Sequence, residues 1–158
     1  MRIWYPCFAI LLLLFSSQAI GQSFSTYRNE RYGFSVIYPS DFKMDPAPDN
    51  GDGRRFFKDN GCSIIASGIN NIGEESVATG MRSEESNFDK VTYRSKGKNW
   101  FVLSGYKGSD ILYIKSYVGV GANNDLWIRY PRTLAQEFSA IAGKVSGSFK
   151  PGDLKEVH

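Results

Sequence analysis

From Val91 to Tyr130 the chain alternates apolar and polar positions with a period of two, interrupted by short polar turns. Asn99–Lys107 and Asp110–Val118 are the longest strand-like runs, and only Gly108-Ser109 separates them. A Gly-Ser pair suits a type II′ hairpin turn, because glycine accepts positive φ at the first central position. That turn sets Lys107 opposite Asp110, and then Tyr106 opposite Ile111, Ser104 opposite Tyr113, Val102 opposite Lys115 and Trp100 opposite Tyr117. Successive side chains point to opposite faces, so one face carries Phe101, Leu103 and Gly105 against Leu112, Ile114 and Val118. The other carries Trp100, Val102 and Tyr106 against Ile111, Tyr113, Lys115 and Tyr117. The run Val91–Lys96 joins through Gly97-Lys98, which reads as a second turn of the same kind. Asp125–Tyr130 follows with Leu126, Ile128 and Tyr130 on one side and Trp127 and Arg129 on the other. Four sequential strands with short turns predict an antiparallel meander whose faces need cover.

Upstream, Phe24–Arg28 reads as a short leading strand, Asn29–Gly33 as a turn, and Phe34–Tyr38 as a strand that Pro39 ends. Arg54–Asp59 and Cys62–Ile69 flank Asn60-Gly61, a strong hairpin signal. A two-residue turn there pairs Phe57 with Ile64 and Phe56 with Ile65, predicting a hairpin covered on both faces. Two helices are expected. Glu74–Phe88 opens with acids, which suits the positive end of a helix dipole, and carries a thin stripe of Val77, Ala78, Met81 and Phe88. Pro131 suits a first helical turn, after which Leu134, Phe138, Ile141 and Val145 recur at amphipathic spacing, with Gly147 as the C-cap. The second stripe is expected to pack on the Phe101/Leu103/Leu112/Ile114 face, and the first helix on the aromatic face. From Pro151 the chain reads as a flexible tail.

The N-terminus changes the picture. Arg2 precedes the unbroken apolar run Phe8–Phe15, and Ala19-Ile20-Gly21 offers small residues for cleavage, the pattern of a secretory signal peptide. The run is too short to span a bilayer. Residues 1–21 are therefore expected to be removed, 22–150 to form one domain and 151–158 a tail, in the periplasm or outside the cell. Cys7 precedes the apolar run, so a lipid-attachment motif is not supported. Cys62 is then the one cysteine of the mature chain, read as a buried strand residue, with an intermolecular bridge or a reactive thiol as the alternative. The formal net charge of +3 includes Arg2 and contains no basic run, which disfavours nucleic acid as a partner. No second hydrophobic segment predicts a membrane span after cleavage.

The run Tyr32-Gly33-Phe34-Ser35-Val36-Ile37-Tyr38-Pro39-Ser40-Asp41-Phe42 resembles the opening of domains in the PsbP/Mog1/DcrB-like superfamily. The later order of hairpin, helix, meander and C-terminal helix is similar to theirs. The resemblance implies an α+β fold, an antiparallel sheet of about six or seven strands with a helix on each face. It also implies a binding or adaptor role; members include photosystem extrinsic subunits, a Ran-binding protein, envelope lipoproteins and secretion adaptors. It carries over no catalytic residues.

Candidate chemistry is sparse. His158 is the sole histidine, so a Ser-His-Asp triad, a Cys-His pair and a histidine zinc site lack their central residue. Gly119-Val120-Gly121 leads into a strand, unlike a phosphate loop. Asp45, Asp49 and Asp52 lie in one loop and are weak calcium candidates, at a spacing foreign to an EF-hand. No catalytic residue and no cofactor is assigned. What remains is an aromatic and basic set, Trp100, Tyr113, Lys115, Tyr117, Trp127 and Arg129, with Tyr106 nearby. Tyr, Trp and Arg dominate interface hot spots. The expectation is a non-enzymatic exported binding or accessory protein with a protein partner, or a small ligand, on that surface. The alternative is a small carboxylate-dependent hydrolase, though no pair of acids stands out.

Overall fold

A computed structural model describes residues 21–158, so all but the last residue of the expected signal segment, Cys7 included, falls outside the described residues. Strands β1 (Phe24–Arg28) and β2 (Ser35–Pro39) form a small antiparallel ribbon. The main sheet is built from β3 (Lys43–Met44), β4 (Gly53–Phe57), β5 (Ser63–Asn70), β6 (Lys90–Lys96), β7 (Trp100–Lys107), β8 (Asp110–Val118) and β9 (Ala122–Pro131). Helix α1 (Val77–Glu85) lies between β5 and β6, and α2 (Ala135–Ser148) follows β9 after a single 3-10 turn. The seven strands are ordered β3-β4-β5-β9-β8-β7-β6 and every pairing is antiparallel. The meander therefore turns its last strand, β9, onto the β4–β5 hairpin, and β9 becomes the middle of the sheet.

The β7–β8 hairpin has the register its turn predicts, from Lys107 opposite Asp110 to Trp100 opposite Tyr117. Gly108 supplies the positive φ, at 58°. The other two predicted turns shift. In β6–β7, Lys96 pairs with Phe101 and the Gly97 N–H donates to the Trp100 carbonyl, so Lys98-Asn99 form the turn tip. Gly97 is there for space: a Cβ would lie 2.3 Å from Trp100 Nε1. In β4–β5, Phe56 pairs with Ile64 and Arg55 with Ile65. The loop is three residues, Asp59-Asn60-Gly61, with Gly61 at φ 92° and its N–H bonded to the Lys58 carbonyl. A one-residue slip moves side chains to the other face. Phe56 and Ile64 are accordingly fully buried on one side, while Arg55 and Ile65 are exposed on the other. The hairpin is covered on one face only, against expectation.

The helices also exchange places. Helix α2 and the β1–β2 ribbon cover the face of Phe56, Ile64, Leu126, Ile128 and Tyr130, where Phe138, Ala142 and Val145 join the larger core. Helix α1 covers the Phe101/Leu103/Leu112/Ile114 face, contributing Val77 and Met81, with Phe88 beyond its end. Pairing decides this. Tyr113 lies opposite Ile128 and Lys115 opposite Leu126, so the aromatic side of β8 continues into the apolar side of β9 and β5. That wide surface takes the larger helix. Helix α1 starts later than predicted, capped by reciprocal bonds between Ser76 and Thr79, with no acid in its first turn. Helix α2 runs through Gly147 to Ser148, and the buried Phe149 packs back onto the core.

The tail is docked, where the composition predicts fraying. Gly121 N–H donates to the Leu154 carbonyl, Gly152 N–H to Asn124 Oδ1 and His158 N–H to Asn70 Oδ1, each at 2.9–3.0 Å. Backbone groups that meet partners inside the fold hold a segment regardless of its composition. Cys62 is free and buried, and burial pushes its thiol pKa up, which makes it a poor nucleophile. The exposed edge strand β6 carries Lys90, Arg94 and Lys96 and a register irregularity between Val91 and Tyr93, features that discourage edge pairing.

Candidate contact surface

The six predicted contact residues do not form one patch. Trp100, Tyr113, Lys115 and Tyr117 share the α2 face, while Trp127 and Arg129 lie on the α1 face. Alternation along β9 fixes this: Trp127 pairs with Ile114 and Arg129 with Leu112.

On the α2 side the aromatic and basic groups seat the helix. Tyr113 Oη lies 2.6 Å from Ser146 Oγ, and burial raises the phenol's pKa. Lys115 Nζ donates to the Ser146 carbonyl at 3.1 Å, near the C-terminal end of α2 where a cation is favourable. Its ammonium sits 5.2 Å from the centre of the Tyr117 ring. Tyr117 packs against Phe149 with ring centres 5.7 Å apart. These side chains are structural, and little of them is left for a partner.

The α1 side differs, because α1 spans only the β7–β8 half of its face. Among the described residues, no helix lies over the end of β4–β5–β9 that carries Arg55, Ile65 and Arg129. There a recess of about 390 Å³ has a floor of Ile65, Leu112 and Trp127 and a rim of Arg55, Lys107 and Arg129. Each rim cation is paired: Arg129 Nε with Asp110 at 2.6 Å, and Arg55 with Asp45 and Lys107 with Asp89 at 3.1 Å. The Gly108 N–H and Lys107 together hold the Asp89 carboxyl below its ordinary range. The rim is thus a ring of exposed ion pairs around an apolar floor, the arrangement of an interface core and its rim.

Two of the three calcium candidates are engaged in other bonds. Asp45 accepts from Arg55, and Asp52 from Asn50 at 2.8 Å. Among the described residues no three acidic, cysteine or histidine side chains converge to hold a metal.

One polar feature went unpredicted. Under α1, Ser116 and Asp125 face each other across the β8–β9 ladder, with Asn123 beside them. The Glu84 carboxyl of α1 is pushed up to about 7 by burial, then by the charges of Asp125 and Glu75. The Asp125 carboxyl is pushed up to about 6, chiefly by burial. The sequence does carry a signal for this seam. The Leu112–Ile114–Ser116–Val118 alternation places a hydroxyl on an apolar face, and Asp125 has the parity of Trp127.

No family model matches the chain, and no curated protein does. Among solved structures it is similar to cyanobacterial PsbP (CyanoP) from Synechocystis sp. PCC 6803, with a TM-score of 0.55 and 14% identity over 87% of this chain and 98% of that one. The fold is PsbP-like. At that identity the likeness carries the architecture and none of the neighbour's chemistry. Among the described residues no helix of this PsbP-like domain is long and apolar enough to cross a membrane.

Proposed function

We propose that the chain is a non-enzymatic exported binding or accessory protein of the bacterial envelope, acting in the periplasm or outside the cell. Its partner is a protein that inserts an apolar side chain flanked by carboxylates into the Ile65/Leu112/Trp127 recess. The observation behind this reading is the half-face that α1 leaves uncovered, with Trp127 at its floor and Arg129, 53% exposed by side chain, at its rim. Tryptophan and arginine in such positions are the residue types that concentrate binding energy. The rim arginines can exchange their present carboxylates for a partner's, which makes an acidic segment the complementary one. The signal-like N-terminal sequence supports export, and the PsbP-like fold is compatible with an accessory role.

A photo-crosslinking residue at Ile65, with another at the distant, exposed Tyr93 as control, tests this in the native envelope. Support requires a protein captured from Ile65 alone that also binds the purified domain. Trp127→Ala should then weaken that binding by about 2 kcal/mol or more, about thirtyfold. Equal capture from both positions, or binding indifferent to Trp127, would reject the recess.

The hydrolase alternative rests on Glu84 and Asp125, since raised carboxyl pKa values cluster at functional sites. Neither residue lines the recess: Glu84 belongs to α1 and Asp125 to the sheet face toward that helix. The binding reading is the better supported.

A further inference from the structure

We propose that helix α1 is a pH-responsive cover, seated on the polar seam in acid and loosened from the sheet as the seam ionises. The seam is assembled from every element around it. β9 supplies Asp125 and Asn123, β8 supplies Ser116 and β5 supplies Ser67, which flanks Asp125 on the other side. The segment before α1 supplies Glu75, whose Oε2 accepts from Asn123 Nδ2 at 3.0 Å. The helix supplies Glu84, whose Oε2 accepts from Asn87 Nδ2 at 2.8 Å just beyond its end.

Three acids therefore share this seam, and the charges acting on Glu84 and Asp125 are acidic, Glu75 bearing on both; Glu75 itself also borders a cleft lined by Lys96, Lys98 and Lys155. The nearby Arg94 is committed elsewhere, to Glu85 at 2.6 Å. Ser116, 2% exposed, lies opposite Asp125 across the ladder, and its hydroxyl offsets only part of the rise that burial imposes on that carboxyl. Like charges in a partly buried setting repel strongly, and each ionisation adds to that repulsion.

Apart from the exposed Arg94–Glu85 ion pair that ties its last residue to β6, little else holds α1 in place. It is nine residues long, Gly80 is its one buried residue, and its apolar grip is Val77 and Met81, both only partly buried. Elements with few buried apolar contacts open at low free energy. With both carboxyls protonated the helix can rest on the seam; with both ionised, repulsion acts against a weak grip. Asn87, tied to Glu84, also lines the recess, so release of α1 would reshape the wall of that surface. This last consequence rests on the recess being the contact site; the movement of α1 does not.

The test is amide exchange of the mature protein by NMR, corrected for intrinsic rates, at about pH 5 and about pH 8. Protection of the α1 amides should fall by about tenfold or more between them, while β7 and β8 amides keep theirs; a tenfold change is what a pKa difference of about one unit produces. The Asp125→Asn, Glu84→Gln double variant, which keeps shape and hydrogen-bonding groups without charge, should lose that pH dependence. A flat α1 profile in the native sequence, or the same fall in the double variant, overturns the proposal. Should the variant fail to fold, the carboxyl resonance of Asp125 decides. A midpoint of about 6 that coincides with the loss of α1 protection supports the cover, and titration in the ordinary carboxylate range refutes it. Because no partner is involved, failure here leaves the binding reading untouched.

Discussion

Tyr113 Oη and Ser146 Oγ stand 2.6 Å apart, joining the middle of β8 to the last turn of α2. This contact seats the end of α2 on the aromatic side of the meander, the side that the β5–β9 pairing makes core. Tyr113→Phe should lower stability by about 0.5–1.5 kcal/mol, the net value of one such bond, measured by urea unfolding. Phe138→Ala should do much more, about 3–5 kcal/mol, because Phe138 lies against Phe42 and Tyr130 with ring centres 5.9 and 5.0 Å away. Similar losses for the two variants would mean that α2 is held by its polar seat and not by its buried stripe.

The raised carboxyls predict stability that depends on pH. Asp125 has a folded-state pKa of about 6 against an ordinary value of 3.8, so the native state binds this proton more tightly than the unfolded chain. Its contribution is intact below about pH 4 and is lost as pH rises through about 6. Asp125→Asn should therefore stabilise the protein at neutral pH by about 2–3 kcal/mol at most, since folded and unfolded values one pH unit apart correspond to about 1.4 kcal/mol. The same substitution should have little effect near pH 4. Denaturant midpoints at both pH values check the sign. Destabilisation at neutral pH would mean that the ionised Asp125 forms favourable contacts instead.

Arg129 separates scaffold from surface. Its partner Asp110 is 16% exposed by side chain while Arg129 is 53% exposed, and pairs this open contribute about 0.2–1 kcal/mol. Arg129→Ala should shift the thermal midpoint only slightly and yet weaken binding of the recess's partner. Loss of stability with binding intact would assign Arg129 to the fold.

How far the sequence could be read depended on whether the determining interaction was local. Gly108-Ser109 set its own hairpin, and from it the correct parity of Phe101, Leu103, Leu112 and Ile114 followed. The Asn60-Gly61 pair misled because a glycine at φ 92° serves a three-residue loop as readily as a two-residue one, and the two differ by one register step. What no local pattern contains is that β5 pairs with β9. That pairing widens the aromatic face into the main core, draws α2 onto it, and sends Lys115 and Tyr117 under the helix. Trp127 and Arg129 line an open recess on the other side of the sheet from the residues grouped with them.

The tail offers a test of a different kind. From Pro151 the composition is that of a solvated end, and a frayed tail could be removed with no effect on stability. The fold instead uses it. Asn124 is 1% exposed, and its Oδ1 accepts the Gly152 N–H at 2.9 Å; its amide nitrogen donates back to the neighbouring Asn123 carbonyl. The Leu154 carbonyl receives N–H groups from Gly121 and Ala122, and His158 packs its ring 5.0 Å from that of Tyr32. Truncation after Pro151 would leave a buried amide oxygen without its donor, a loss of about 1–3 kcal/mol at that atom. It would also uncover Tyr32, which is 3% exposed. The truncated chain should melt several degrees lower, roughly 4 °C per kcal/mol for a domain of this size. Asn124→Ala, which removes acceptor and donor together, should recover little of that loss, because the Leu154 and His158 contacts would still be missing. A truncated protein that melts with the full chain would show that these contacts only decorate a sheet already complete without them.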